Sequence, residues 1–455
     1  MEYNGPLILL PTAIVLILAL WSRRALEPLI FGAVVGTVMI APGNILGSLA
    51  EDSLAVMTNG TVAWVILVCG LMGSVIALLL RSGASQAFAT SLTRFATGRR
   101  SSLLASWVMG IILFVDDYLN SLAIGTSMRK LTDRYKVSRE MLAYVVDSTA
   151  APVSVIIPIS TWAVFFGALL EENGVADAGQ GVWTYVQSVP YMFYPWIAVA
   201  MVPIVISGKI PLMGAMKKAE RRAREEDKSV PPGAEHIDEE IAHLEPRTGV
   251  RGNLWMFILP MASLAFFTWY FDLDFLKGLY ITLAWMVVAL IALRILKPGE
   301  TFDNALEGFK SMIDPLAILV AAFLLNEVNT TLGLTEYVIT TAEPLISAEL
   351  LPVIIFTVMA SVSFATGSNW GVFVIILPIV TSLANAVGAD MTLVIGATLS
   401  ASTFGSHACF YSDATVLTAQ ATGCTPFQHA WTQLPYALLA AALAATAYIV
   451  LGYTI

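Results

Sequence analysis

Carboxylates stand inside apolar stretches of this chain at Asp116, Asp117, Asp147, Glu327 and Asp413. An acid at mid-helix in a membrane costs roughly 2.5 to 3.5 kcal/mol, so each is a candidate for function. Adjacent Asp116 and Asp117, with Asn120 in the same turn, repel one another. At least one must gain a cation partner, take up a proton or reach water, which is how a cation/proton exchanging group behaves. Asp147 precedes Ser148, Thr149 and Ala150-Ala151-Pro152, about 10 Å inside its own apolar segment. Proline breaks a helix and frees carbonyls. Carboxylate, hydroxyl and carbonyl oxygens together suit a hard cation, and Asp147 and Asp413 are the expected sodium ligands.

Thr366, Gly367, Ser368 and Asn369 bring small residues and neutral oxygens to a second break. A half-helix N-terminus there favours an anion through its free amides, while the side-chain oxygens serve sodium equally well. His407, Ser412, Asp413 and Thr415 add an imidazole, a carboxylate and hydroxyls. An imidazole titrates near neutral pH and can shuttle protons. Each residue also has a plain structural reading. Asp117 can cap a helix, the hydroxyls can bond back to the i−4 carbonyl, the glycines can serve packing, and His407 can be a satisfied buried histidine. Glu327 and Asn326 read as interfacial, and Trp162, Trp370 and Trp431 as packing or interface aromatics.

The elements that must position these groups are membrane helices. Of 455 residues 57% are hydrophobic and 13% charged, about half the charge of a soluble domain, which excludes an ordinary soluble enzyme. A net charge of −9 offers no basic face for nucleic acid. Nothing matches a phosphate-binding loop, so an ATP-driven pump is unsupported. Cys69, Cys409 and Cys424 are too scattered for a disulfide framework or a metal cluster. The first apolar run has its arginines, Arg23 and Arg24, after it and reads as a first span, not a cleaved signal peptide.

About 20 apolar residues cross the hydrocarbon, and basic residues mark the cytoplasmic side. The block 101–129 has basic clusters at both ends and reads as a re-entrant helical hairpin with its tip at Asp116–Asn120. Residues 140–168 read as a broken helix, 351–388 as a second re-entrant hairpin, and 391–421 as a broken helix interrupted at Gly405-Ser406-His407. The segment 209–253 alternates Lys/Arg with Asp/Glu and reads as a charged, solvated cytoplasmic linker, part helix and part disordered. It separates residues 1–208 from 254–455. Both halves follow one order of spans, hairpin and broken span, including amphipathic connectors at 43–58 and 299–311. Five crossings per half invert the second against the first. The expected fold is an all-α polytopic membrane protein of two inverted repeats, with about ten transmembrane helices, two re-entrant hairpins and broken helices at the midplane. Secondary transporters are built this way. Both termini are expected outside.

Several motifs then resemble the NhaC-type sodium/proton antiporter family of the ion transporter superfamily. They are Phe114–Tyr118, Gly125–Arg129, Ser138–Glu140, Leu142–Tyr144 running into Asp147–Val153, and Pro158–Trp162. The second half agrees through Ala365–Gly371, Ser412–Thr415 and Thr432–Tyr436. The resemblance spans both halves and leaves out the linker. It implies a dimer with scaffold and mobile transport domains working as an elevator, and substrates that include sodium, protons and small organic acids. Where many members have Phe-Gly-Asp-His and then Ser-Pro, this chain reads Phe404-Gly405-Ser406-His407-Ala408-Cys409-Phe410-Tyr411. A lost carboxylate and two gained aromatics leave room for an organic solute.

The leading expectation is sodium/proton antiport in a bacterial inner membrane, with no cofactor beyond sodium as coupling ion or substrate. Asp116, Asp117, Asn120, Asp147, Ser148, Thr149 and Asp413 are its cation- or proton-binding groups. Thr366, Gly367, Ser368, Asn369, His407, Ser412 and Thr415 are its substrate-binding groups. The alternative keeps the fold and couples sodium or protons to an organic acid or amino acid. A channel or an intramembrane enzyme is less well supported: the prolines and carboxylates favour occluded binding, and no nucleophile and base can be paired.

Overall fold

The computed structural model describes residues 5–22, 26–84, 87–88, 91, 96–114, 117–158, 160–177, 179–235, 237, 252–271, 274–334, 337, 347–366, 369–410 and 412–455. Asp116, Gly367 and Ser368 lie outside the described residues, as do the side chains of Thr366, Asn369 and Asp413. Every regular element among the described residues is helical.

A 3-10 turn at Pro6–Leu9 leads into α1 (Leu10–Ser22), α2 (Leu26–Ile40), α3 (Ile45–Thr58) and α4 (Gly60–Arg81). Then follow α5 (Arg99–Ile112), α6 (Asp117–Arg134), α7 (Arg139–Asp147), α8 (Ala151–Ile156) and α9 (Thr161–Glu172). α10 (Gly181–Ser188) and α11 (Phe193–Ser207) precede a polar-faced helix, α12 (Gly214–Glu225). The remainder comprises α13 (Trp255–Tyr270), α14 (Phe275–Ala292), α15 (Pro298–Lys310) and α16 (Ile313–Thr331). It ends with α17 (Leu351–Thr366), α18 (Asn369–Val387), α19 (Met391–Ala408), α20 (Asp413–Thr422) and α21 (Pro426–Gly452).

Val62–Arg81, Phe275–Ala292 and Pro426–Gly452 are each long and apolar enough to cross a membrane. The pair Gly181–Tyr191 and Phe193–Ser207, bent by 54°, meets the same test. Shorter apolar helices include Leu26–Ile40, Trp255–Tyr270 and Leu351–Phe364. Backbone groups cannot go unpaired in hydrocarbon, so helices are the available solution. Many starts are set by side-chain caps: Ser138, Ser160, Asp390, Ser412 and Thr425 each accept a backbone N–H from the first turn.

Two sets of helices interleave the chain's ends. α4 lies along α15 and against α14, and α2 lies along α16. α17 lies along α19, α20 packs on α6 and α7, and α21 packs on α7, α11, α17 and α19. α9 touches α4, and α18 contacts both α16 and α19, joining the two sets.

Two features differ from the sequence expectation. α19 runs unbroken through Gly405-Ser406-His407 to Ala408, and the next helix starts at Asp413. Gly405 serves close packing instead: a Cβ there would strike Ser363 on α17. The charged linker is also not wholly solvated. α12 buries Met216, Ala219, Glu220 and Ala223 and packs on α7 and α21. Arg222 grips Glu140 with both amino nitrogens, at 3.1 and 2.8 Å. Glu220 accepts from Ser138 N (3.0 Å) and Ser138 Oγ (2.9 Å) and pairs with Arg99.

Candidate functional site

The site forms where α7 stops. Every residue of α7 is buried, and its last residue is Asp147. Pro152 is the second residue of α8 and donates no hydrogen bond, so the chain turns over Ser148–Ala150 and restarts. Thr149 Oγ1 bonds back to the carbonyls of Val145 and Val146, both at 3.0 Å, and closes the end of α7. Its hydroxyl is occupied by the backbone, the structural reading of the two weighed from sequence.

Asp147 is fully buried. Its Oδ2 accepts from Gln433 Nε2 at 2.7 Å and lies 3.0 Å from His429 Nε2. Its Oδ1 has no hydrogen-bond partner among the described residues. His429 and Gln433 sit four residues apart on α21 and so share one face. Gln433 Nε2 also donates to the His407 carbonyl. Neighbouring Ser148 Oγ lies 2.9 Å from His407 Nε2, and Tyr194 OH lies 2.7 Å from His407 Nδ1. α7, α11, α19 and α21 thereby meet in one buried polar network.

Asn120 on α6 anchors the break from another side. Its Nδ2 donates to the carbonyls of Gly110 and Thr149, each at 2.8 Å. Gly110 makes this approach possible, since a Cβ there would meet the Thr149 side chain. Asn120 Oδ1, Gln433 Oε1, His429 Nδ1 and Ser406 Oγ are likewise buried without a partner among the described residues. A buried polar atom left unpaired costs about 1–3 kcal/mol, and such an excess of oxygens suits a cation.

The other expected residues divide. Ser412 caps α20 by accepting from Thr415 N (3.2 Å) and donates to the Ser406 carbonyl (2.6 Å). Thr415 Oγ1 reaches that same carbonyl at 3.3 Å, so both hydroxyls serve the turn between α19 and α20. Asp117 is buried in the first turn of α6, where the helix dipole favours an acid. Asp413 begins α20 and Asn369 begins α18, while Thr366 ends α17. Glu327 is exposed, and Trp162 is fully buried.

His429 and Tyr194 were missed in the sequence, and Gln433 entered only within a family motif. Two polar side chains four apart inside an apolar helix were the available signal. Among the described residues no three His, Cys, Asp or Glu side chains are grouped to hold a metal.

Residues 178–453, more than half of the chain, match the family model of the Na+/H+ antiporter family. The chain belongs to the Na+/H+ antiporter family. An uncharacterised protein of Haemophilus influenzae is 28% identical to this family member over 485 residues, covering 98% of this chain and 91% of the relative. In fold it is similar to the YdaH transporter of Alcanivorax borkumensis, at a TM-score of 0.58 and 12% identity over 90% of each chain. It is also similar to MtrF of Neisseria gonorrhoeae, described with a class of antimetabolite efflux pumps. That likeness has a TM-score of 0.54 at 11% identity, over 91% of this chain and 85% of MtrF. This antiporter-family chain is thus an integral membrane transporter and not an enzyme.

Proposed function

We propose that the protein exchanges sodium for protons, with Asp147 and His429 as the coupled pair. The carrying observation is the division of labour on one buried carboxylate: Asp147 Oδ2 is held by His429 and Gln433, while Oδ1 has no partner among the described residues. In the proton-loaded form the pair keeps a proton, as imidazolium beside carboxylate. Sodium arriving at Oδ1 competes for the carboxylate's charge, and the proton leaves His429 for water on the open side. Ser148 and Tyr194 hold the His407 ring, and Gln433 holds its carbonyl, so α19 follows any displacement of α7. Asp116, Asp117 and Asp413 act as further proton or cation stations.

Alternating access uses the two interleaved helix sets: α5–α8 and α10–α11 with α17–α21 carry the ion, while α1–α4 with α13–α16 form the scaffold. This is an elevator reading, with inverted repeats, re-entrant hairpins and a homodimer as its architectural premises. The charged linker faces the cytoplasm of a bacterial inner membrane, and both termini face outside.

A second reading is favoured by one observation. Beside the α19–α20 turn, Phe410 stands 5.5 Å from Phe427 and 6.2 Å from Trp431 between ring centroids, and Phe427 and Trp431 are exposed. Such a cluster suits an organic solute carried in exchange for the cation, in line with what MtrF is described as moving.

Proteoliposomes with an internal pH dye separate the readings. A sodium gradient alone moves protons under the first reading. Proton movement that requires an added organic acid or amino acid supports the second and overturns the first.

A further inference from the structure

A cavity of about 540 Å³ opens at the linker-bearing end of the molecule, between the start of α5, α7, the end of α11 and α12. Arg99, Arg100 and Arg224 line it with a single carboxylate, Glu220. Glu220 is already engaged by Arg99, by Ser138 and, at 3.6 Å, by Arg224. Arg100 is exposed and pairs with no carboxylate among the described residues. Burial, together with the charge of Arg224, draws Arg99 down to about 10, so it stays protonated at neutral pH. Arg99 and Arg100 occupy the first turn of α5, where the helix dipole already makes the potential positive. The cavity therefore holds more cationic charge than its own carboxylate neutralises.

The rest of the lining is apolar, including Leu103, Val205 and Ile206. Arg100 heads a stripe at four-residue steps, Leu104, Val108 and Ile112, all exposed. α11 exposes Ile204 and Trp196, and Trp107 Nε1 ties the two helices by donating to the Val199 carbonyl at 3.0 Å. Guanidinium groups thus stand at the polar end of an exposed apolar track.

We infer that this cavity binds the phosphate headgroup of an anionic phospholipid, with its acyl chains lying along the exposed faces of α5 and α11. A phosphate accepts two parallel hydrogen bonds from a guanidinium, and anionic lipids are recognised by basic pockets at helix ends on the cytoplasmic side. A free phosphate satisfies the arginines but leaves the apolar stripe bare, whereas a lipid matches both. Because Arg224 belongs to the linker helix and Arg100 to α5, the headgroup bridges the linker to the membrane helices.

Native mass spectrometry of the intact protein in detergent tests this with phosphatidylglycerol, phosphatidylcholine and inorganic phosphate as separate probes. Phosphatidylglycerol should bind at least tenfold more tightly than phosphatidylcholine. Arg100→Gln and Arg224→Gln, both at exposed side chains, should each weaken it about tenfold, and Arg100→Lys should restore part of the loss. Equal binding of the two lipids, unchanged affinity in both Gln variants, or phosphate competing at the lipid's own concentration would overturn the assignment. The comparison of lipids on the unmodified protein decides even if a variant folds poorly.

Discussion

Asp147 on α7 and His429 on α21 face each other across 3.0 Å with both side chains fully buried. Removing one partner of a buried hydrogen bond costs about 1–3 kcal/mol, more when the group left behind is charged. His429→Ala should therefore lower thermal stability sharply. His429→Gln keeps a donor and should cost about 1 kcal/mol, yet it cannot carry the proton. The expected result is near-normal expression and melting with sodium-driven proton movement reduced at least tenfold. Melting curves and a pH dye in liposomes check the two halves of this statement.

Gln433 serves two acceptors, Asp147 and the His407 carbonyl. Gln433→Leu removes both bonds and should destabilise by about 1–3 kcal/mol. Because Asp147 then loses its fixed orientation, sodium affinity should fall about tenfold, read as the sodium concentration at half-maximal rate. An unchanged half-maximal concentration would detach Gln433 from the ion.

Asn120 pins the break after Asp147 to α5 through the Gly110 and Thr149 carbonyls. Asn120→Ala should slow exchange at least tenfold and lower stability by about 1–3 kcal/mol. Gly110→Ala should produce a similar phenotype by pushing against Thr149. Exchange rates and melting temperatures of the two variants check the expectation that they act at one place.

The linker helix bears on the same α7. Arg222→Ala breaks the two-pronged contact to buried Glu140 and should cost about 3 kcal/mol. Arg222→Lys, which cannot form the fork, should recover only part of it. Thermal unfolding of the two variants against the unmodified chain measures the difference.

How much of this was legible in the sequence differs by residue. Charge placement and apolar runs are long-range signals and carry the membrane class, while the break after Asp147 follows from Pro152. Gly405 reads as a breaker near the end of α19, whereas its close approach to Ser363 is a tertiary fact that no local pattern carries. His429 and Tyr194 are single polar groups whose partners lie far along the chain, and only packing brings them to Asp147 and His407. The charge alternation of the linker hid a second signal. Met216, Ala219 and Ala223 recur at helical spacing and bury Glu220 with them. Asp116, Gly367 and Ser368 lie outside the described residues, so their expected roles rest on sequence.

One measurement bears most directly on the central claim: a sodium jump applied to liposomes holding a pH dye, with the unmodified protein beside Asp147→Asn. Asn keeps the shape of the side chain but loses the charge that attracts both sodium and the His429 proton. The unmodified protein should answer the jump with proton movement in the opposite direction, and Asp147→Asn should reduce that response at least 100-fold at equal insertion. A sodium-driven response of normal size in Asp147→Asn would contradict the account.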